Sequence, residues 1–157
     1  MIFIDTLLSV LKVQELINID LIRLGSENDG GYILVNNFYN NGICYSFGID
    51  HNIDFELDMA KYNYQIFMFN HTIDALPQNN SQHFHFFKEG LSGKEESNLH
   101  TLEFYLRKNK HEQEKNMILK MDIEGSEWPW LETVQLDTLL KFDQLIFEFH
   151  DLLIKQN

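Results

Sequence analysis

Short, unbroken apolar runs alternate along most of this chain with segments that have helical spacing. The apolar runs are "ICYSF", "YQIFMF", "HFHFF", "MILKMD" and "QLIFEFH". Strands that are buried on both faces of a parallel sheet have this continuous apolar character, whereas strands with one solvated face alternate in polarity. The pattern therefore predicts an α/β fold with a mostly parallel, doubly wound sheet.

Three segments between these runs have the apolar spacing of a helix. "DFELDMAKY" is predicted to be helical with Asp54 as its N-cap, and "SNLHTLEFYLRK" with Ser97 as its N-cap. "EWPWLETV" predicts a third helix, in which Pro129 falls within the first turn and its missing N–H costs little. The second helix is expected to present one apolar face, formed by Leu99, Leu102 and Leu106.

The first 42 residues form an N-terminal extension to this alternating pattern. A helix is predicted after Asp5, a suitable N-cap, because apolar residues recur there at helical spacing. These residues are Leu7, Leu8, Leu11, Leu16 and Ile17. Gly30 and Gly31 predict a hairpin or turn before a short strand, Tyr32 to Val35. We expect a single domain over residues 1–157, with the α/β core over residues 43–150.

The chain is acidic, with 24 acidic and 12 basic residues and a formal net charge of −12. Such a surface repels phosphate backbones, which argues against a nucleic-acid partner. No apolar run approaches the roughly 18 residues of a membrane span, and the opening residues lack the features of a signal peptide. The single cysteine, Cys44, excludes a disulfide framework and is expected to lie in the core. We therefore expect a soluble cytoplasmic protein with a small-molecule partner and no membrane partner.

Polar residues follow the predicted strands at their carboxyl ends, which is where open parallel sheets bind ligands. They are Asp50 after the first core strand, Asn70 and His71 after the second, Asp122 and Glu124 after the fourth, and His150 and Asp151 after the fifth. Gly90 and Leu91 follow the third strand. We therefore predict a ligand site at this edge of the sheet, lined partly by carboxylates.

Five segments carry a more specific signal: "RLGSENDGGYILV", "YSFGIDHNIDFELDMA", "FMFNHTI", "KMDIEGSEW" and "FEFH". In this order they resemble the FkbM-type S-adenosylmethionine-dependent methyltransferase-domain family. The resemblance spans roughly residues 23–150, and "KMDIEGSE" is its most recognisable element. It implies a Rossmann-like class I methyltransferase sheet, S-adenosylmethionine as the cofactor, and a hydroxyl of a small, sugar-containing acceptor as the methyl-accepting group.

The resemblance also implies roles for individual residues. Those expected to bind the cofactor are Phe47, Gly48, Ile49, Asp50, Asn70, His71, Leu91, Asp122 and Glu124. Asp122 is the first candidate for the group that orients the acceptor or accepts its proton, and His150 is the second. Asn70 departs from the family pattern, which has an acidic residue there for the ribose hydroxyls. Restoring aspartate at that position is expected to tighten cofactor binding, unless Asp50 has taken over the role.

Two alternatives remain open. The chain ends soon after its fifth predicted strand, without the antiparallel strand hairpin that completes class I methyltransferases, so a truncated or degenerate relative that binds the cofactor weakly without catalysis is the first. In that case the fifth strand is an exposed apolar edge that a partner or a second copy would cover. The second alternative, a nucleotide-sugar or dinucleotide-dependent enzyme, lacks its glycine-rich phosphate loop in "SFGIDHN".

Several of these residues also have simpler interpretations. Glu127 has the position of an acidic residue that stabilises a helix N-terminus. His83 and His85 share a strand face at metal-binding spacing, but no third ligand is evident, so a solvated face is expected and no metal is assigned. Trp128 and Trp130 are expected to be packing residues.

Overall fold

The computed structural model describes residue 12, residues 15–77 and residues 81–151. The strands are β1 (Leu21–Gly25), β2 (Gly31–Val35), β3 (Ile43–Phe47), β4 (Gln65–Phe69), β5 (Phe84–Phe87), β6 (Gly90–Leu91), β7 (Leu99–His100), β8 (Met117–Met121) and β9 (Phe142–Phe147). The helices are α1 (Asp54–Lys61), α2 (Leu102–Lys108), α3 (Glu127–Leu131) and α4 (Leu136–Leu139).

Five parallel strands form the central sheet, in the order β5-β4-β3-β8-β9. The chain therefore builds outward from β3 in one direction through β4 and β5, and then in the other through β8 and β9. This confirms the predicted α/β class and the parallel sheet. The strand order reverses between β3 and β8, and a crevice is expected beyond the carboxyl ends of these two strands.

The core lies on both faces of this sheet. Cys44 is buried on the face that α1 and the β1–β2 hairpin cover, and its neighbour Tyr45 is buried on the face that α2 and α3 cover. Alternate residues of β3 thus enter different clusters, as two-sided burial requires. Burial also raises the pKa of the Cys44 thiol, which keeps it protonated, and its predicted place in the core is confirmed.

Several sequence-based boundaries were wrong. Asp54 is the first residue of α1, and the N-cap is Ile53. The second helix begins after Thr101, whose hydroxyl accepts the backbone N–H of Phe104, so Ser97 is not its cap. Leu99 lies instead in β7, because it pairs with Gly90.

Further differences concern the N-terminal extension and the last strand. The predicted N-terminal helix falls mostly outside the described residues, and Leu16 and Ile17, which are described, are not helical. The hairpin contains a strand, β1, that was not predicted, and it pairs antiparallel with β2. The fifth core strand begins earlier than expected, at Phe142, and ends at Phe147.

In the part of the chain that the structure describes, β9 pairs with β8 alone and Leu145 is 41% exposed. The hairpin nevertheless approaches this strand, because the Gln144 side chain accepts the N–H of Val35 at 2.8 Å and donates to its carbonyl at 3.1 Å. The described helices include none that is long and apolar enough to cross a membrane.

Parallel aromatic rings stack on the α2 face of the sheet. Tyr45 stacks on Phe67 at 5.3 Å between centroids, and Phe47 stacks on Phe69 at 4.5 Å. Phe69 also stacks on Phe87 at 5.0 Å. The rings extend toward the carboxyl ends of β3 and β4, where Phe47 and Phe69 line the cavity described below.

A histidine closes the other end of this aromatic stack. The hydroxyl of Tyr45 lies 2.8 Å from Nδ1 of His111 and accepts a hydrogen bond from the Asn109 amide at 3.1 Å. Burial lowers the pKa of His111; the charge of Glu114 opposes this effect and that of His85 reinforces it. The folded protein therefore favours neutral His111.

We expect His111 to contribute a loss of stability as the pH falls below about 6.5, the ordinary pKa of histidine. In that range the unfolded chain binds the His111 proton more readily than the folded chain, so protonation favours unfolding. Melting temperatures at pH 7.5 and 5.5 should differ less in His111→Gln than in the parent protein. His51→Gln, at an exposed position, is the control and should leave that difference unchanged.

Candidate functional site

The site is organised around a close backbone contact between β3 and β8. Gly48 follows β3 with a φ of +79°, and a Cβ atom there would lie 1.5 Å from the carbonyl oxygen of Asp122, which follows β8. The Gly48 N–H donates to the Phe69 carbonyl at 3.0 Å, and the Asp122 N–H donates to the Phe47 carbonyl at 3.2 Å. Only glycine combines this conformation with this approach.

A cavity of about 280 Å³ opens on the β4 side of this contact. Its lining includes Phe47, Gly48, Asp50, Asn70, His71, Leu91, Asp122 and Glu124, together with Phe69, Thr72 and Ile123. All the residues expected to bind a cofactor thus line one cavity except Ile49. That side chain is 1% exposed and packs in the core, but its carbonyl oxygen contributes a contact to the cavity wall.

Both the nitrogen and the oxygen of the Asn70 side-chain amide form hydrogen bonds within the protein. Its Nδ2 donates to the Ile49 carbonyl, and its Oδ1 accepts the backbone N–H and the hydroxyl of Thr72 at 2.6 and 2.7 Å. The residue therefore ties the loop after β3 to the loop after β4. The Asp50 carboxylate, by contrast, is 69% exposed at the mouth of the cavity.

A second, more polar cavity of about 220 Å³ lies on the hairpin side of the same contact. It shares Gly48, Asp50, Asp122 and Glu124 with the first cavity and adds Asp29, Gly30, Tyr32, His51, Asn52, Phe55, Glu56 and Lys120. The hairpin is fixed here by Asn52, whose amide donates to the Ser26 hydroxyl at 2.7 Å and to the Asp29 carbonyl at 3.0 Å. The two cavities are thus adjacent, and four residues line both of them.

Asp122 belongs to a cluster that joins β8, the segment after β9 and the hairpin. The Tyr32 hydroxyl lies 3.1 Å from Asp122 Oδ2 and 3.4 Å from Glu148 Oε2. The other oxygens of these two carboxylates face Nε2 of His150, at 3.8 Å for Asp122 Oδ1 and 4.0 Å for Glu148 Oε1. Burial, followed by the charges of Asp122 and Glu148, raises the pKa of Tyr32, so its phenol remains a hydrogen-bond donor.

Glu127 holds the remaining nitrogen of this histidine. Its carboxylate is fully buried and accepts the N–H groups of Ile123 and Gly125, both at 2.9 Å, and its Oε1 lies 3.1 Å from His150 Nδ1. Burial works against protonation of His150, but the bond to Glu127 and the nearby carboxylate charges give it a net raised pKa. The position of Glu127 suggested only an acidic residue at a helix N-terminus. The structure shows in addition that its buried carboxylate fixes the loop after β8 and orients His150.

A buried lysine lies beside the cluster. Lys120 is 4% exposed, and its Nζ lies 3.7 Å from Asp122 Oδ2 and 5.4 Å from the centre of the Tyr32 ring. A buried ammonium needs a nearby anion, and Asp122 supplies it. This pairing makes Asp122 important for stability as well as for any chemistry.

The structure brings the two proposed catalytic residues together, although His150 lines neither cavity. Sequence reasoning missed Tyr32, Glu148 and Lys120. All three stand inside quoted segments, "RLGSENDGGYILV", "FEFH" and "KMDIEGSEW". The available signals were polar groups at a predicted strand start and strand end for the first two, and a charged residue within an apolar strand for Lys120.

The other histidine and tryptophan predictions had mixed outcomes. His83 and His85 are half-buried instead of solvated, and both contact the Gln65 amide, at 3.1 and 2.7 Å. Trp130 is a buried packing residue, as expected. Trp128 packs on Phe149 and also donates its Nε1–H to the His150 carbonyl at 2.7 Å.

Comparison with known proteins found no matching family model, no matching curated protein and no matching solved structure.

Proposed function

We propose that this chain is an S-adenosylmethionine-dependent methyltransferase domain that acts on a hydroxyl of a small, sugar-containing acceptor. One observation carries the proposal. Eight of the nine residues that the FkbM-type resemblance nominates for the cofactor line a single cavity at the carboxyl ends of β3, β4 and β8. Open parallel sheets bind ligands in this position, where the strand order reverses.

The chemistry of this cavity fits a nucleoside that carries a cationic tail. Phe47, Phe69 and Leu91 offer an apolar surface, and Asp50 offers an exposed carboxylate for ribose hydroxyls. Asp122 and Glu124 add negative charge to the lining, and this charge favours a sulfonium. Bound there, S-adenosylmethionine would supply a methyl group whose carbon–sulfur bond breaks, with its electron pair left on sulfur, as the acceptor oxygen forms the carbon–oxygen bond.

The second cavity is the proposed acceptor site. Its polar lining suits a polyhydroxylated molecule, and Asp122 and Glu124 line both cavities. Asp122 would orient the acceptor hydroxyl toward the methyl carbon and accept its proton. Much of the acceleration would come from this positioning.

Calorimetric titration of the full chain with S-adenosylhomocysteine, in EDTA, tests the cofactor site without an acceptor. Micromolar binding supports the proposal and justifies a screen of nucleotide-linked sugars with methyl-labelled S-adenosylmethionine. Absence of binding by protein that melts cooperatively would overturn it.

The degenerate relative stays the second candidate because of Asn70. Its Nδ2 donates to Ile49 and its Oδ1 accepts from Thr72, so only the second N–H of the amide is left for a ribose. Under this alternative the protein binds the cofactor weakly and transfers no methyl group to any acceptor of the screen.

Replacing Asn70 with aspartate is expected to lower the melting temperature of the ligand-free protein and to tighten S-adenosylhomocysteine binding about tenfold. The variant loses the bond to the Ile49 carbonyl and places a carboxylate beside that oxygen. It gains charge-assisted hydrogen bonds to the ribose. Asn70→Ala should lower the melting temperature without tightening binding, and equal affinities of all three proteins would contradict our placement of the ribose.

A further inference from the structure

The cluster of Asp122, Glu148 and His150 has the composition and spacing of a metal site. One ligand atom from each residue lies within 4.8 Å of the other two. All three side chains are partly buried, and they come from two neighbouring strand ends and the segment that follows. One imidazole and two carboxylates form a donor set typical of divalent first-row transition metals.

The distances are too long for hydrogen bonds and suitable for a shared ion. Nε2 of His150 lies 3.8 Å from Asp122 Oδ1, 4.0 Å from Glu148 Oε1 and 3.6 Å from Glu124 Oε2. Two ligand atoms that each stand about 2.1 Å from one ion are about 3.0 to 4.2 Å apart, for angles between 90° and 180°. Glu124, whose side chain is 85% exposed, can supply a further oxygen.

The surrounding residues orient each ligand toward this centre. Glu127 binds Nδ1 of His150, which leaves Nε2 directed at the carboxylates. Tyr32 contacts Oδ2 of Asp122 and Oε2 of Glu148, which leaves Oδ1 and Oε1 directed at Nε2. A carboxylate on the far nitrogen of a ligating histidine, and hydrogen bonds to the ligating carboxylates, are the usual support of a metal site.

We propose that His150, Asp122 and Glu148 bind one divalent transition-metal ion, with Tyr32 and Glu127 as positioning residues. The site borders the second cavity through Tyr32, Asp122 and Glu124. If the proposed function holds, and only then, the ion would act as a Lewis acid on the acceptor hydroxyl, whose proton would pass to the Asp122 carboxylate as the oxygen attacks the methyl carbon. Metal binding itself does not rest on the proposed function.

The competing explanation is that a protonated His150, with Lys120, balances these carboxylates and no metal binds. Manganese titration of the full chain distinguishes the two. Free Mn²⁺ is counted from its electron paramagnetic resonance signal, in 150 mM salt and without cofactor. We expect one ion per chain, and pulsed spectra of the bound ion should show coupling to a nitrogen nucleus, which an acidic surface alone does not provide.

Matched variants locate the ion. Glu148→Gln and His150→Gln should each weaken Mn²⁺ binding tenfold or more, whereas Glu112→Gln, an exposed acidic control, should not. Tyr32→Phe keeps every ligand and should also weaken binding about tenfold, because it releases two carboxylates. No bound Mn²⁺, no nitrogen coupling, or equal effects of Glu148→Gln and Glu112→Gln would overturn the site.

The two proposals fail separately. S-adenosylhomocysteine is titrated in EDTA, so its binding tests the cofactor cavity in the absence of a metal. Mn²⁺ is titrated without cofactor, so its binding reports the cluster alone. Loss of either result leaves the other standing.

Discussion

Replacing Gly48 with alanine is expected to destabilise the fold by roughly 3 to 5 kcal/mol and to remove binding of S-adenosylhomocysteine. Two costs combine. The backbone of Gly48 has a φ of +79°, which side chains tolerate poorly, and the new Cβ would stand 1.5 Å from the Asp122 carbonyl. The carbonyl belongs to backbone, so no rotamer change relieves the contact, and the ends of β3 and β8 must separate.

Gly125→Ala is the matched control for Gly48→Ala. Gly125 also has a left-handed backbone, with a φ of +94°, but its added Cβ would meet only a side-chain oxygen of Asp151, at 3.0 Å. It therefore carries the conformational cost without the backbone collision. Thermal melting should show a fall of about 10 °C or more for Gly48→Ala and a much smaller one for Gly125→Ala. Equal losses would mean that the close approach of β3 and β8 is unimportant.

Asp122→Asn is expected to reduce methyl transfer by about 10² to 10⁴-fold, the usual contribution of a positioned acid or base. The amide keeps the shape of the side chain but can neither accept the acceptor's proton nor supply the negative charge. The measurement is the rate of S-adenosylhomocysteine release with an acceptor identified by the screen. A rate within threefold of the parent would place the proton acceptor elsewhere.

This substitution also removes the nearest anion of Lys120, so a lower melting temperature is expected with the loss of activity. Ile66→Val separates the two effects. It deletes one methyl group from a fully buried core position and should cost about 1 kcal/mol of stability while turnover persists. Assays at a temperature well below both melting points then report chemistry alone.

The parallel sheet was predictable because strands that are buried on both faces, such as β3 and β8, require continuous runs of apolar residues. The cavity followed from position, since polar residues after adjacent parallel strands must meet at one edge. Helix starts were less predictable: Asp54, Ser97 and Thr101 are all good caps by type, and the pairing of Leu99 with Gly90 decided between the last two. This pairing joins two separate segments of the chain, so the sequence around the helix start does not predict it.

The roles of Glu127 and Tyr32 in the site could not be predicted from the sequence for a related reason. A glutamate at the start of a helix looks the same whether it faces solvent or, like Glu127, is enclosed and receives two backbone N–H groups. The approach of Tyr32 to Asp122 and Glu148 depends on where the hairpin lies against the sheet. Strand periodicity does not determine that placement.

The contacts of Tyr32 also bear on the order in which the chain folds. They join residues that are 90 and 116 positions apart in the sequence. They place the hairpin against the carboxyl ends of the sheet strands, so β3 and β8 must already be paired. Loops of that length close slowly because their entropy is lost before any contact compensates it. A refolding chain should thus gain helices and the β1–β2 hairpin first, and the ability to hold a ligand between hairpin and sheet should return in its slowest phase.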